Sequence, residues 1–173
     1  MPESKWPQLK ERLIALMSEL KVDSPLNFST FTSAVIDEKA FDRIVSYINY
    51  GIHNQKSKLV HGGENDKSRG YYVNPTLFEC KDPHDKLLRE EIFGPVLAVF
   101  VYKNADYARC LDLVDSTTPY ALTGSIFAQD EEVLNATRLR LRQSCGNLYI
   151  NDKSTGAGNY ALSIKRVFSV KNA

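Results

Sequence analysis

Glu90, Glu91, Ile92, Phe93, Gly94 and Pro95 follow one another in the chain and combine groups that could hold a flat, hydroxylated ligand. A carboxylate can accept two hydrogen bonds from a ribose diol. A phenyl ring two positions later can lie on the same side of an extended segment and pack against a flat ring. Gly94-Pro95 makes a rigid turn that holds both while the following strand enters the core. Taken alone, two carboxylates before an apolar turn more commonly mark the start of a solvated helix.

A second candidate is Lys153-Ser154-Thr155-Gly156-Ala157. Backbone N–H groups at Gly156 and Ala157 can approach a carboxylate closely, because neither side chain obstructs it. An ordinary glycine-containing loop reads the same way. The three cysteines, Cys80, Cys110 and Cys145, are scattered and odd in number, which suggests a reducing compartment rather than a disulfide framework. None has an evident base nearby in sequence, so buried, inert thiols are expected. His53, His61 and His84 are isolated and lack metal-ligand spacing, and no metal site is expected.

Secondary structure must position these groups. Leu9, Leu13, Leu16, Met17 and Leu20 recur at helical spacing and predict an amphipathic helix over roughly 5–20. A second helix runs from a capping Asp37 to about Ile52, with Phe41, Ile44, Val45 and Ile48 on one face. Lys58 to His61 is a short strand ending at Gly62-Gly63. YYVNPTLF at 71–78 is rich in strand formers, and Pro75 places it at an edge or in an extended arm. VLAVFVY at 96–102 is a strong strand. Asn104 can cap a helix over 105–115 with Tyr107, Leu111 and Val114 inward. LTGSIFA at 122–128 is another strand, and Asp130 can cap a helix over 131–142. NLYIN at 147–151 is a final strand, with Leu148 and Ile150 buried and Gly146 at a turn. Strands alternating with helices imply an α/β sheet, mostly parallel. There is no internal repeat or convincing linker.

Composition limits the class. The chain has 173 residues, enough for one domain with a core. Its 43% hydrophobic and 25% charged residues are ordinary for a globular protein, and a formal net charge of +1 offers no field for nucleic acid or membrane. No apolar run approaches the ~20 residues of a membrane span. MPESKWPQLKERL, at the start of the chain, has neither a signal peptide's apolar stretch nor a transit peptide's Arg-rich bias.

REEIFGPV at 89–96 resembles the Glu-x-Phe-Gly-Pro motif of the aldehyde dehydrogenase family. The preceding GYYVNPTLF at 70–78 is similar to a Pro-Thr-containing element of that family, and the spacing between the two is also the family's. GNLYIND at 146–152 resembles its Gly-x-x-x-Ile-Asn strand. KSTGA at 153–157, DSTTPYALTGSIFAQD at 115–130 and SAVIDEKAFDRI at 33–44 look like the branch that oxidises L-glutamate γ-semialdehyde. The resemblance runs from about Trp6 to Ala157.

It implies a Rossmann-like α/β catalytic domain, here its C-terminal part and incomplete, over 1–157, followed by a divergent tail, GNYALSIKRVFSVKNA, at 158–173. It implies NAD as cofactor, with Glu91 on the nicotinamide ribose, Phe93 on the nicotinamide side and Pro95 structural. Gly156 and Ala157 would hold the α-carboxylate of a semialdehyde substrate in proline catabolism, in the mitochondrial matrix. In the family a cysteine thiolate attacks the aldehyde, hydride passes to NAD, and a glutamate-activated water releases the acid. WPQLKERL at 6–13 looks like the helix after the nucleophile loop, so both the nucleophile and the general base are expected upstream of Met1, as is the NAD-binding half. The expectation is an enzyme segment inactive by itself, with the strands that build a homo- or hetero-oligomer replaced by the tail. The alternative is a non-catalytic interaction protein that keeps the fold and docks on a full-length relative.

Overall fold

A computed structural model of the chain describes residues 1–154. The polypeptide divides into two compact units, Met1–Ala105 and a second that begins at Asp106. In the first unit, α1 (Trp6–Glu19) and α2 (Glu38–His53) precede β1 (Ser57–His61), β2 (Asn65–Asp66), β3 (Tyr72–Val73), β4 (Thr76–Cys80), α3 (Lys86–Arg89) and β5 (Val96–Phe100). β1, β4 and β5 form one sheet in that order: β1 runs antiparallel to β4, and β5 parallel to it. β2 and β3 make a small antiparallel pair.

Placing β4 at the centre corrects the edge or extended-arm position expected from Pro75 for residues 76–78, whereas Tyr72–Val73 form β3 in the separate two-stranded pair. The proline stands just outside the strand, so its missing N–H removes no ladder bond. The first donor needed is that of Thr76, which reaches the Pro95 carbonyl at 2.8 Å. Thr76, Leu77, Phe78 and Cys80 are accordingly buried, as a central strand requires.

α2 forms where its pattern predicts. The Asp37 carboxylate accepts from the Ala40 N–H at 2.7 Å, satisfying one donor of the open first turn. Phe41, Ile44 and Ile48 then recur at helical spacing and join Val73, Phe78, Cys80, Leu87 and Ile92 in one core. Full burial of each large apolar side chain contributes about 1.5–3 kcal/mol. Gly51 lets the helix approach the sheet: a Cβ there would stand 2.7 Å from the Phe78 ring. α1 also matches its predicted span, but its apolar stripe is narrower than expected, with Leu16 61% exposed. Trp6 is its buried residue, and the indole N–H donates to Glu79 at 2.6 Å.

The second unit holds α4 (Tyr107–Ser116), β6 (Thr123–Ile126), α5 (Glu131–Arg140) and β7 (Asn147–Ile150), with β6 and β7 parallel. Asp130 caps α5 as expected, accepting from the Glu132 and Val133 N–H groups. Asn104 does not cap α4. It opens a 3₁₀ turn, Asn104–Asp106, and its side chain accepts from the Ser4 hydroxyl instead. Tyr107 and Leu111 are half-buried while Val114 is exposed, so the inward face of α4 differs from the one expected. Leu148 is half-buried and Ile150 is 42% exposed, which corrects the reading of NLYIN as a buried strand. The architecture is α/β, and no helix among the described residues is long and apolar enough to cross a membrane.

Candidate functional site

The acidic-to-apolar junction lies between α3 and β5. Asp85 starts α3: one buried carboxylate oxygen accepts from the Leu87 N–H at 2.9 Å, the other from the Asn54 amide at 2.7 Å. The helix is a single turn and stops at Glu90, whose backbone is extended while its N–H still reaches the Lys86 carbonyl. The chain then alternates. Glu90 is exposed at the surface, where its carboxylate accepts from the Tyr47 hydroxyl. Glu91 is exposed and makes no hydrogen bond or ion pair among the described residues. Ile92 is 7% exposed and sits in the core beside Phe41, Ile44 and Ile48.

Phe93 follows with φ of 56° and 77% exposure. The segment is therefore not extended at Phe93, contrary to expectation. A left-handed backbone costs an ordinary residue about 1–2 kcal/mol, and it persists where the flanks leave no other path. Both flanks are fixed here. Ile92 is held in the core, and Gly94 lies so close to Ile44 that a Cβ would stand 2.6 Å from Ile44 Cδ1. Beyond it, the Gly94 carbonyl accepts from the Val96 N–H at 2.8 Å, and the Pro95 carbonyl from Thr76. The result is a rigid bend that turns a phenyl ring into solvent and leaves an unengaged carboxylate two positions before it. Such a pair fits a ribose diol and a flat ring: the carboxylate has acceptor capacity to spare, and the ring has an open face.

The second element is less complete. β7 is joined to the segment before β6 by Gly146, whose N–H donates to the Ala121 carbonyl at 2.8 Å. At its other end Asn151 adopts φ of 53°, donates its N–H to the Ile126 carbonyl and accepts from the Ala128 N–H at 3.0 Å. Asn151 thus closes the far end of the β6–β7 pair, a role not read from the sequence, which treated it as the last strand residue. The Asp152 carboxylate accepts from the Lys153 N–H. Gly156 and Ala157 lie outside the described residues, as does the expected boundary between 157 and 158.

The cysteines differ in setting. Cys80 is 2% exposed; burial first, then the nearby Asp85, Asp82 and Glu79, push its thiol up to about 12. Burial also raises Cys110. A thiol held protonated is a poor nucleophile. Cys145 is half-buried, with its Sγ 3.1 Å from where a Cβ at Gly124 would stand. His53 is exposed and its Nδ1 lies 2.7 Å from the Asn49 carbonyl, so that nitrogen donates. Among the described residues no three His, Cys, Asp or Glu side chains gather as a metal site would need.

Compared with known proteins, residues 1–162 match the aldehyde dehydrogenase family. The chain is 48% identical over 158 residues to a mitochondrial delta-1-pyrroline-5-carboxylate dehydrogenase of Danio rerio, across 91% of this chain and 28% of the relative. It is 50% identical over 157 residues to the mitochondrial enzyme of the same name from Bos taurus, across 90% of this chain and 28% of that one. The structure superposes on the Mycobacterium tuberculosis delta-pyrroline-5-carboxylate dehydrogenase bound with NAD with a TM-score of 0.82 at 35% identity, covering 95% of this chain and 29% of the other. The chain spans about 28% of the length of the curated relatives it matches.

Proposed function

This chain belongs to the aldehyde dehydrogenase family, and on that premise we propose that it supplies part of the catalytic domain, residues 1–157, of an NAD-dependent enzyme oxidising L-glutamate γ-semialdehyde to L-glutamate in proline catabolism. The observation that carries this reading is the bend at 91–94, where an exposed, unengaged Glu91 and an outturned Phe93 flank a buried Ile92. In this reading Glu91 binds the nicotinamide ribose and Phe93 lies against the nicotinamide side of NAD. The relatives' names support the substrate and a mitochondrial setting.

The residues of this chain bind and orient. NAD, when bound, accepts the hydride lost by the aldehyde carbon. Glu91 offers charge-assisted acceptors to a diol, which are stronger than neutral ones. Phe93 limits the positions open to a flat ring, and a reacting group held in one geometry reacts faster. The backbone N–H groups of Gly156 and Ala157 receive the substrate's α-carboxylate. Burial raises the Cys80 and Cys110 thiols, which disfavours either as the attacking thiolate, and the reading assigns that step and the general base to none of the described residues.

The test has two arms. The purified chain, given glutamate γ-semialdehyde and NAD, forms NADH no faster than the buffer blank. A chimera in which residues 1–162 replace the matching segment of the Bos taurus relative oxidises the semialdehyde, and Glu91→Gln in that chimera weakens NAD use by about 1.5–3 kcal/mol with the aldehyde KM unmoved. Turnover by the isolated chain that Cys145→Ala abolishes overturns the first arm. An unchanged KM for NAD with an unchanged kcat overturns the assignment of Glu91.

A further inference from the structure

Glu90 and Glu91 are adjacent, chemically alike and both exposed, yet among the described residues only the first is engaged: the Tyr47 hydroxyl donates to Glu90. We propose that Tyr47 is a positioning residue for the bend: its hydroxyl holds Glu90 against α2 and so commits Glu91 as the carboxylate offered to the ligand. This rests on the reading of Glu91 and Phe93 as cofactor contacts.

The geometry makes α2 the template of the bend. Tyr47 and Ile44 are three residues apart, so they share a face of the helix. Tyr47 takes hold of the bend where it begins, at Glu90, and Ile44 receives it where it ends, at Gly94. Ile48, from the next turn of the same helix, is fully buried in the core that takes Ile92. The tyrosine is itself fixed: Lys86 Nζ lies 4.5 Å from its ring centroid and 5.6 Å from that of Tyr50, one helical turn on. A cation over both rings restricts the direction in which the hydroxyl points. Successive side chains in extended backbone face opposite ways, and Glu90 is extended. Holding Glu90 to the α2 side therefore turns Glu91 to the other side. Without the hydroxyl, either carboxylate could swing to the ligand.

The test uses the full chain and hydrogen–deuterium exchange at residues 90–94. Tyr47→Phe keeps the ring and its cation but removes the donor. Exchange at the Glu90 amide, whose N–H donates to the Lys86 carbonyl, is expected to accelerate on the order of five- to tenfold, with β4 amides unchanged. Glu90→Gln, which still accepts, stays near the unaltered chain. Glu90→Ala matches Tyr47→Phe, and the double variant adds nothing further. Unchanged exchange in Tyr47→Phe overturns the proposal, and so does an acceleration that persists in the Glu90→Ala background or is shared by β4. In the chimera with the Bos taurus relative, Tyr47→Phe raises the KM for NAD by a similar factor and leaves the aldehyde KM alone. A chimera that responds to Glu91→Gln but not to Tyr47→Phe also overturns the positioning role. One that ignores both, with the exchange result intact, supports the hold on Glu90 and removes the cofactor reading alone.

Discussion

Ile44 occupies the space that a side chain at Gly94 would need: a Cβ there would stand 2.6 Å from its Cδ1 and 2.7 Å from its Cγ1. Ile44 is fully buried and cannot move aside. Gly94→Ala should therefore destabilise the chain by about 1–3 kcal/mol, the usual cost of overpacking. In an Ile44→Ala background the same change should cost markedly less, since the obstructing atoms are gone. Urea denaturation of the four proteins measures both terms, and equal costs in the two backgrounds would remove the steric explanation.

Phe93 poses the reverse question, because its ring is mostly in solvent while its backbone is strained. Asparagine adopts the left-handed region more readily. Phe93→Asn should raise stability by about 0.5–1 kcal/mol, while weakening NAD use in the chimera. A fall in stability instead would mean that the ring packs in the fold and that its exposure is not tied to a ligand.

Cys80 sets a pH dependence whose sign follows from its raised value. Unfolded, the thiol ionises near 9; folded, it keeps its proton up to about 12. Between those values the folded state binds more protons, so the contribution to stability is full below pH 9 and is lost as pH rises toward 12. The slope from this one group is about 1.4 kcal/mol per pH unit. Lys56 and Lys67, whose values are also raised by their carboxylate partners, lose stability in the alkaline range as well. Comparing the chain with Cys80→Ala isolates the thiol: the variant's stability should fall less steeply above pH 9. Parallel profiles would rule out the buried thiol as a contributor.

Substrate choice is tested at Ala157. Proline there removes one of the two proposed N–H donors and restricts the loop. A binding group remote from the reacting carbon helps to position it. In the chimera, Ala157→Pro should depress kcat/KM for glutamate γ-semialdehyde far more than for propanal. Equal losses would mean general damage to the loop, and no loss would mean that the carboxylate is held elsewhere.

The parts of the fold legible in the sequence were those in which local signals agree. Asp37 and Asp130 stand before periodic apolar runs, and both cap helices. Pro75 misled because a proline within an apolar run reads as an edge signal, whereas only its position relative to the first ladder bond matters. Asn104 misled because a possible cap can be diverted by a distant partner, here Ser4. The bend at 91–94 was legible as composition but not as shape: its left-handed Phe93 depends on Ile44, some fifty residues earlier in the chain. Tyr47 was not singled out, since a tyrosine on an amphipathic helix carries no mark of the carboxylate it will meet.

Among the described residues, the elements named as shaping the bend lie between Asp37 and Phe100: the helix that holds it, the central strand beneath it, and the strand it leads into. The β4–β5 pairing is parallel yet is closed by a short crossover through α3. The entropy of closing a loop grows only slowly with its length. The same contiguity has a genetic side: a recombination break on either side of this block passes the bend on whole, whereas a break inside it separates Gly94 from the isoleucine that dictates it.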